Sequence, residues 1–199
     1  LITVATPDPA VNDDRMSLAN GRYLFGSDTG VAHVNTARQG VASAAGHDLL
    51  IEVTRWGGSV DLDVDAPENS RVAVSLDVRS FEVREGTGGV RPLTDRDRRD
   101  IKTTLETKIL DAARYPSIAF VSREITVSAA DIRIDGELTI RGVSRPVEVR
   151  ARRSGDDSRF MAAATVVQTR WNIAPYKGLL GALKVADPID VSFDFVLTS

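Results

Sequence analysis

The chain has 199 residues, of which 42% are hydrophobic and 27% charged, with a formal net charge of −3. That is long enough for one sizeable core, and the balance is ordinary for a globular protein. Acidic and basic residues interleave, which argues against a nucleic-acid binder, and no apolar run approaches the roughly 18–20 residues of a membrane span. The lack of cysteine excludes disulfides, thiolate nucleophiles and cysteine metal sites.

Residues 1–20, with Pro7, Pro9, Asn12, Asp13 and Asp14, lack periodicity and read as an N-terminal arm. No charged-then-apolar leader opens the chain. Compartment stays open: cytoplasmic as it stands, periplasmic or secreted if a leader has been removed. Strands are expected near 22–28, 30–38, 47–56, 58–65 and 70–84. Val60, Leu62 and Val64 alternate with aspartates, and Val72, Val74, Leu76 and Val78 alternate with Arg71, Ala73, Ser75 and Asp77. One interruption is helical. Thr94 is a candidate N-cap with Asp97 at the capping-box position, and Ile101, Leu105 and Ile109 recur at four-residue spacing. The spacing predicts an amphipathic helix over 94–113, stopped by Tyr115-Pro116, with Arg98, Lys102 and Glu106 towards water.

Strands resume over 117–127, 131–142, 145–153, 158–170 and 188–198. In 131–152, Ile132, Ile134, Leu138 and Ile140 face one way and Arg133, Asp135, Glu137 and Thr139 the other. After Gly142-Val143-Ser144-Arg145-Pro146, which reads as the turn, Val147, Val149 and Ala151 continue the apolar face. Turn signals at Gly57-Gly58, Pro67-Glu68-Asn69, Ala129-Ala130-Asp131 and Gly155-Asp156-Asp157 separate strands. One-sided alternation favours antiparallel pairing, and many strands with one helix fit a closed barrel, because closure removes exposed edges. The fold class is therefore all-β: a single-domain antiparallel β-barrel over 21–199.

Four passages then resemble one family. Tyr115-Pro116-Ser117-Ile118-Ala119-Phe120-Val121-Ser122 is similar to a helix-to-strand entry reading YP-x-I-x-F-x-S. Gly136-Glu137-Leu138-Thr139-Ile140-Arg141-Gly142, continuing to Pro146-Val147, resembles a G-x-L-T-I-x-G-x-x-x-P-V hairpin. The helix of 94–113 and the segment Gly46-His47-Asp48-Leu49-Leu50-Ile51 stand where the family has counterparts. The chain resembles the YceI-like family, bacterial lipocalin-like proteins grouped as polyisoprenoid-binding. The resemblance covers about 20–198. It implies an eight-stranded antiparallel barrel, extended by extra strands, around an elongated apolar pocket for a long isoprenoid chain. The small-residue stretch from Gly40 to Gly46 departs from the usual spacing before His47-Asp48, and the run from Pro175 to Val185 looks characteristic of a subgroup.

Catalytic and metal chemistry find little support. His33 and His47 are the only histidines, and no third ligand is fixed by spacing. His47 and Asp48, adjacent on a strand, point to opposite faces. Gly86-Thr87-Gly88-Gly89 leads into Val90-Arg91-Pro92 and not into a phosphate-binding helix. Arg141, Arg145, Arg150, Arg152 and Arg153 read as a solvated strand face or an anion-contacting patch.

The expected interior includes Leu62, Val74, Leu76, Ile118, Phe120, Ile134, Leu138 and Phe193. Mostly alanine over Met161–Thr165 leaves either room for a ligand or space for the helix. His47 anchors a turn or makes a polar contact at the pocket mouth. Trp171 and Tyr176 form a packed cover or an aromatic lip, and Leu179 and Leu180 a plug or a gate. The function expected is binding, sequestration or transport of a long isoprenoid lipid or quinone, without covalent chemistry, metal or further cofactor. A homodimer is compatible. The alternatives are a structural or stress-related interaction protein with a filled barrel, and a lipid-modifying enzyme.

Overall fold

A computed structural model describes residues 18–128, 131–154 and 158–199. Residues 1–17 of the expected arm over 1–20, and parts of the turns at 129–130 and 155–157, lie outside the described residues.

Fourteen strands occur in chain order: β1 (Gly21–Gly26), β2 (Gly30–Thr36), β3 (Arg38–Gln39), β4 (Asp48–Val53), β5 (Trp56–Leu62), β6 (Arg71–Asp77), β7 (Phe81–Thr87), β8 (Ser117–Ser128), β9 (Asp131–Ile140), β10 (Val143–Arg153), β11 (Arg159–Val167), β12 (Lys177–Gly178), β13 (Leu183–Val185) and β14 (Pro188–Val196). Eleven of them form one antiparallel sheet, in the order β1-β5-β6-β8-β9-β10-β11-β14-β2-β4-β7, and β12-β13-β3 form a small second sheet. The helix α1 (Asp95–Thr104) lies between β7 and β8.

The large sheet curls back on itself through three bent strands. β1 runs into β2, β4 into β5 and β6 into β7, each pair interrupted by two or three residues. Hydrogen bonds carry the pairing across the bends: Ser27 N donates to Trp56 O at 3.1 Å, Thr54 N to Ser80 O at 2.9 Å and Asp77 N to Arg55 O at 3.0 Å. Taking each pair as one strand turns eleven segments into eight, and the ladder then closes into a ring. β14 pairs with β2, and its continuation reaches β1 through Leu24 and Thr198, which exchange two backbone hydrogen bonds. The bends lie side by side, where the Arg55 guanidinium donates to Asp77 at 2.9 Å. Hydrogen bonds from Arg55 and the Arg79 backbone N–H hold the Asp77 carboxyl below its ordinary pKa, outweighing the opposing effect of burial.

Strict alternation sets the wall, and two irregularities adjust it. A bulge at Arg123 shifts the β8–β9 register, so that Phe120 and Ser122 are buried before it and Ile125 after it. The β9–β10 turn is shorter than the sequence suggests. Ile140 pairs directly with Val143, leaving Arg141 and Gly142, both with positive φ, as a two-residue loop. Pro146 therefore lies inside β10. It is tolerated because β10 pairs with β11 only from Arg150 onwards, while Pro146 O accepts a hydrogen bond from Arg170 instead.

The helix begins as expected. The Thr94 hydroxyl accepts from Asp97 N at 3.2 Å, and Thr94 N donates to the Asp97 carboxylate at 2.8 Å, completing a capping box. It ends earlier than expected. After Thr104 the turns widen to π geometry over Leu105–Ile109, and Asp111 takes a positive φ. Arg141 then donates to the carbonyl of Ile109 at 3.2 Å, serving one unpaired group at the helix end. Lys102 and Glu106 are half-buried, not fully water-facing, because Lys102 pairs with Glu82 on β7 and with Glu106.

Candidate functional site: the barrel interior

A cavity of about 560 Å³ occupies the barrel. That falls within the roughly 300–1,000 Å³ of small-molecule sites. Its wall is almost wholly apolar because every barrel strand contributes inward alternate residues. Leu62, Val74 and Leu76 come from β5 and β6, Ile118 and Phe120 from β8, Ile134 and Leu138 from β9, and Phe193 from β14. These expected interior residues all line the cavity. Glu137 pairs with Arg123 on the other face of the sheet.

The two sides of the cavity differ in bulk. On β10 and β11, Ala151 lies directly opposite Ala162, and both line the cavity together with Ala164. Aromatic rings fill space beside these alanines and on other strands. Phe25 stacks on Phe195 with centroids 4.4 Å apart, Phe160 stacks on Phe195 at 6.1 Å, and Trp56 meets Phe193 edge-on at 5.1 Å. The alanine lane is where the hollow comes from. On β11 the lane is bounded by Phe160 on one side and Val166 on the other, both of which also line the cavity.

Three long connections gather at one end of the barrel: 37–47, 88–116 and 168–187. The half-buried face of α1 and its π turn closes the cavity there through Ile101, Leu105 and Ile109, the residues expected to lie against the barrel. The small sheet of β12, β13 and β3 covers the rest. Leu183 on β13 faces inward against Gly46, where an added Cβ would meet its methyl group at 2.4 Å. Polar groups in the lining concentrate at this end, among them Arg38, His47, Asp100, Tyr176 and Lys184. His47 Nε2 lies 2.8 Å from Arg91 O, which ties the loop before β4 to the loop before α1. Arg38 is held by its own backbone N–H to Asp48 at 2.7 Å and by its guanidinium to Gly46 O at 2.9 Å. Arg91 and Asp97 form a two-pronged ion pair, which raises the Arg91 pKa and, with the Thr94 cap, holds the Asp97 carboxyl far below its ordinary value.

The expected lip needs correction at two positions. Trp171 is 1% exposed and does not line the cavity. It is packed behind the wall, its indole N–H donating to Leu138 O at 2.9 Å. Burying so large a ring outweighs any advantage of presenting it at the rim. Leu180 also stands off the cavity, fully exposed and at φ +55°, and the side chain of Leu179 lies outside what the structure describes. Tyr176, 47% exposed, does reach the cavity. Arg38, Leu183 and Lys184 were missed as mouth residues, because the strands β3, β12 and β13 that position them are only two or three residues long. Such short pieces give no periodic signal.

Among the described residues no cluster of His, Asp and Glu is placed to hold a metal ion. No helix there is long and apolar enough to cross a membrane.

Comparison with known proteins agrees with this geometry. A UPF0312 protein of Enterobacter sp. (strain 638) is 29% identical over 104 residues, which span 51% of this chain and about half (48%) of the relative. The crystal structure of BcnA from Burkholderia cenocepacia aligns with a TM-score of 0.59 at 17% identity, over 84% of this chain and 96% of that one. That of a Campylobacter jejuni YCEI protein aligns with a TM-score of 0.56 at 16% identity, over 74% and 82%. At such identities the two structures establish the fold alone. The model of the YceI-like domain matches residues 28–197, nearly the whole barrel, and the chain belongs to the YceI-like domain family.

Proposed function

We propose that the protein binds and carries a long apolar molecule, an isoprenoid lipid or isoprenoid quinone, in the barrel interior, without covalent chemistry. The observation that carries this reading is the cavity of about 560 Å³ with its apolar wall and alanine lane. Membership of a family known for polyisoprenoid binding supports the same reading. Each buried methylene contributes about 0.8 kcal/mol before the costs of association, so a long chain binds with few polar contacts. The polar residues at the helix end suit the head of such a molecule, and the apolar length of the barrel its tail. The filled-barrel alternative is disfavoured by the cavity. The enzyme alternative is disfavoured by the concentration of polar groups at the mouth and not at the cavity floor.

Native mass spectrometry of the purified protein, followed by solvent extraction of the bound material, tests the reading. A mass increment that extracts as a prenyl-chain lipid or quinone is expected. Failure of the empty protein to take up a fluorescent isoprenoid would overturn it.

A further inference from the structure

We infer that the helix end of the barrel docks onto the surface of an anionic lipid bilayer. Three aliphatic side chains project there from three separate loops. Val41 is 98% exposed, Val90 83% exposed and Leu180 fully exposed. Other exposed apolar residues, such as Val64, Val121 and Val127, are 40–54% exposed. The three loops pack on one another. Ala42 N donates to Ala182 O at 3.0 Å, which joins the loops of Val41 and Leu180. Gly89 lies against the His47 ring, which in turn contacts Arg91 O, so the loop of Val90 joins the same rim.

Two further observations point to a lipid surface. Leu180 is fully exposed at φ +55°, a conformation that leucine rarely adopts, so the loop holds an aliphatic side chain out in water. Charge is also segregated. The three connections at this end, 37–47, 88–116 and 168–187, carry eleven lysines and arginines against six aspartates and glutamates, in a chain whose net charge is −3. Arg38 and Arg91 find Asp48 and Asp97 as partners. Lys177 and Lys184 face each other directly across β12 and β13. Like charges so placed repel, and neither lysine has an ion-pair partner among the described residues. Separate aliphatic tips interspersed with cationic groups match the interfacial zone of a bilayer, where the tips enter the acyl boundary and the ammonium groups meet lipid phosphates. A protein partner would instead require a continuous, shape-matched patch.

Co-sedimentation of the full chain with vesicles tests this, using phosphatidylcholine alone or mixed with phosphatidylglycerol and no isoprenoid in either, so the outcome is independent of what the cavity holds. The protein should bind the mixed vesicles, less so as ionic strength rises. Combining Val41→Ser, Val90→Ser and Leu180→Asn should lower partitioning by about tenfold or more, with circular dichroism confirming an intact fold. Asparagine tolerates the Leu180 backbone conformation. Lys177→Gln with Lys184→Gln should abolish the preference for phosphatidylglycerol, while Val64→Ser at the opposite end should leave binding unchanged. Three results would each overturn the inference: no association at low ionic strength, association that the triple variant leaves intact, or a concentration-dependent dimer of the wild type that the triple variant dissolves.

Discussion

Filling the alanine lane separates a hollow barrel from a filled one. Ala162 and Ala164 point into the cavity beside Ala151. Changing both to leucine adds six carbon atoms. At roughly 30 Å³ per heavy atom, the share a water molecule takes in the liquid, they would occupy about 180 Å³, a third of the cavity's 560 Å³. In a packed interior each extra group forces strain of about 1–3 kcal/mol. In a hollow one the leucines bury against the wall, contributing up to about 0.8 kcal/mol per carbon. The melting temperature of the empty double variant should therefore hold or rise. The ligand, by contrast, loses room for a similar number of methylenes. Its affinity should fall by between tenfold and roughly a thousandfold, the range that a few kcal/mol spans. Circular dichroism melts and displacement of a fluorescent isoprenoid measure the two effects on the same samples. One kcal/mol corresponds to about 2–4 °C for a chain of this size. A fall of more than about 4 °C would show that the interior was already full, and unchanged affinity in a stable variant would place the ligand elsewhere.

Four further outcomes are expected. Trp171→Phe should destabilise the protein by about 2–4 kcal/mol in denaturant unfolding, since it opens a void and strips the Leu138 carbonyl of its donor. Leu105→Asp should weaken isoprenoid binding while costing only about 1–3 kcal/mol, less than at a fully buried site, because Leu105 is half-buried over the cavity. Thr94→Ala should cost about 1 kcal/mol through loss of the helix cap. Asp97→Asn should show a characteristic pH profile. The carboxyl pKa is depressed in the folded state, so its contribution is fully present above the unfolded value of about 3.9 and disappears as pH falls through the lower folded value. The gap in melting temperature between wild type and Asp97→Asn should therefore be constant from neutral pH to about pH 5 and close under strong acid. A gap that widened on acidification would show that the Arg91–Asp97 pair is not what holds the cap.

Most of the wall was legible because its signal is local. Alternation places Leu138, Phe120 and Val74 on the inner face whatever the strand order, and a one-residue slip would expose the entire set. The helix start was equally legible, since Thr94 and Asp97 cap it within four residues. Its end was not. The π turn and the left-handed Asp111 answer to Arg141, which lies 32 residues beyond Ile109, the residue whose carbonyl it serves. Whether Trp171 was cover or lip, and Leu180 plug or gate, was not legible for a related reason. Both lie in an aperiodic segment whose course is set by distant partners, Leu138 O for the first and the 40–45 loop for the second. Amphipathic aromatics and glycine-flanked leucines identify such a segment as unusual, but composition does not say which residue turns inward. The bend at 78–80 was invisible, because a strand that folds in its middle keeps its alternation on either side; the breaks near 27–29 and 54–55 were read as turns between separate strands, and Gly57-Gly58, taken as one of those turns, lies inside β5, paired with Ser75 and Val74.

The bend between β6 and β7 has a consequence for how the barrel opens. β6 goes on to pair with β8, but β7 has a hydrogen-bonded neighbour only in β4. Its other edge is flanked by α1, held there by the Lys102–Glu82 pair and by apolar packing and not by a ladder. The wall therefore has a seam. On that side parting the wall breaks no row of backbone hydrogen bonds, and a swing of one short helix exposes the interior sideways. Opening at such a seam costs less than parting a hydrogen-bonded ladder. It places the fastest amide exchange of the wall in Phe81–Thr87. It also means that when the helix is undocked, a bare strand edge is presented to other copies of the chain, a template from which aggregation starts.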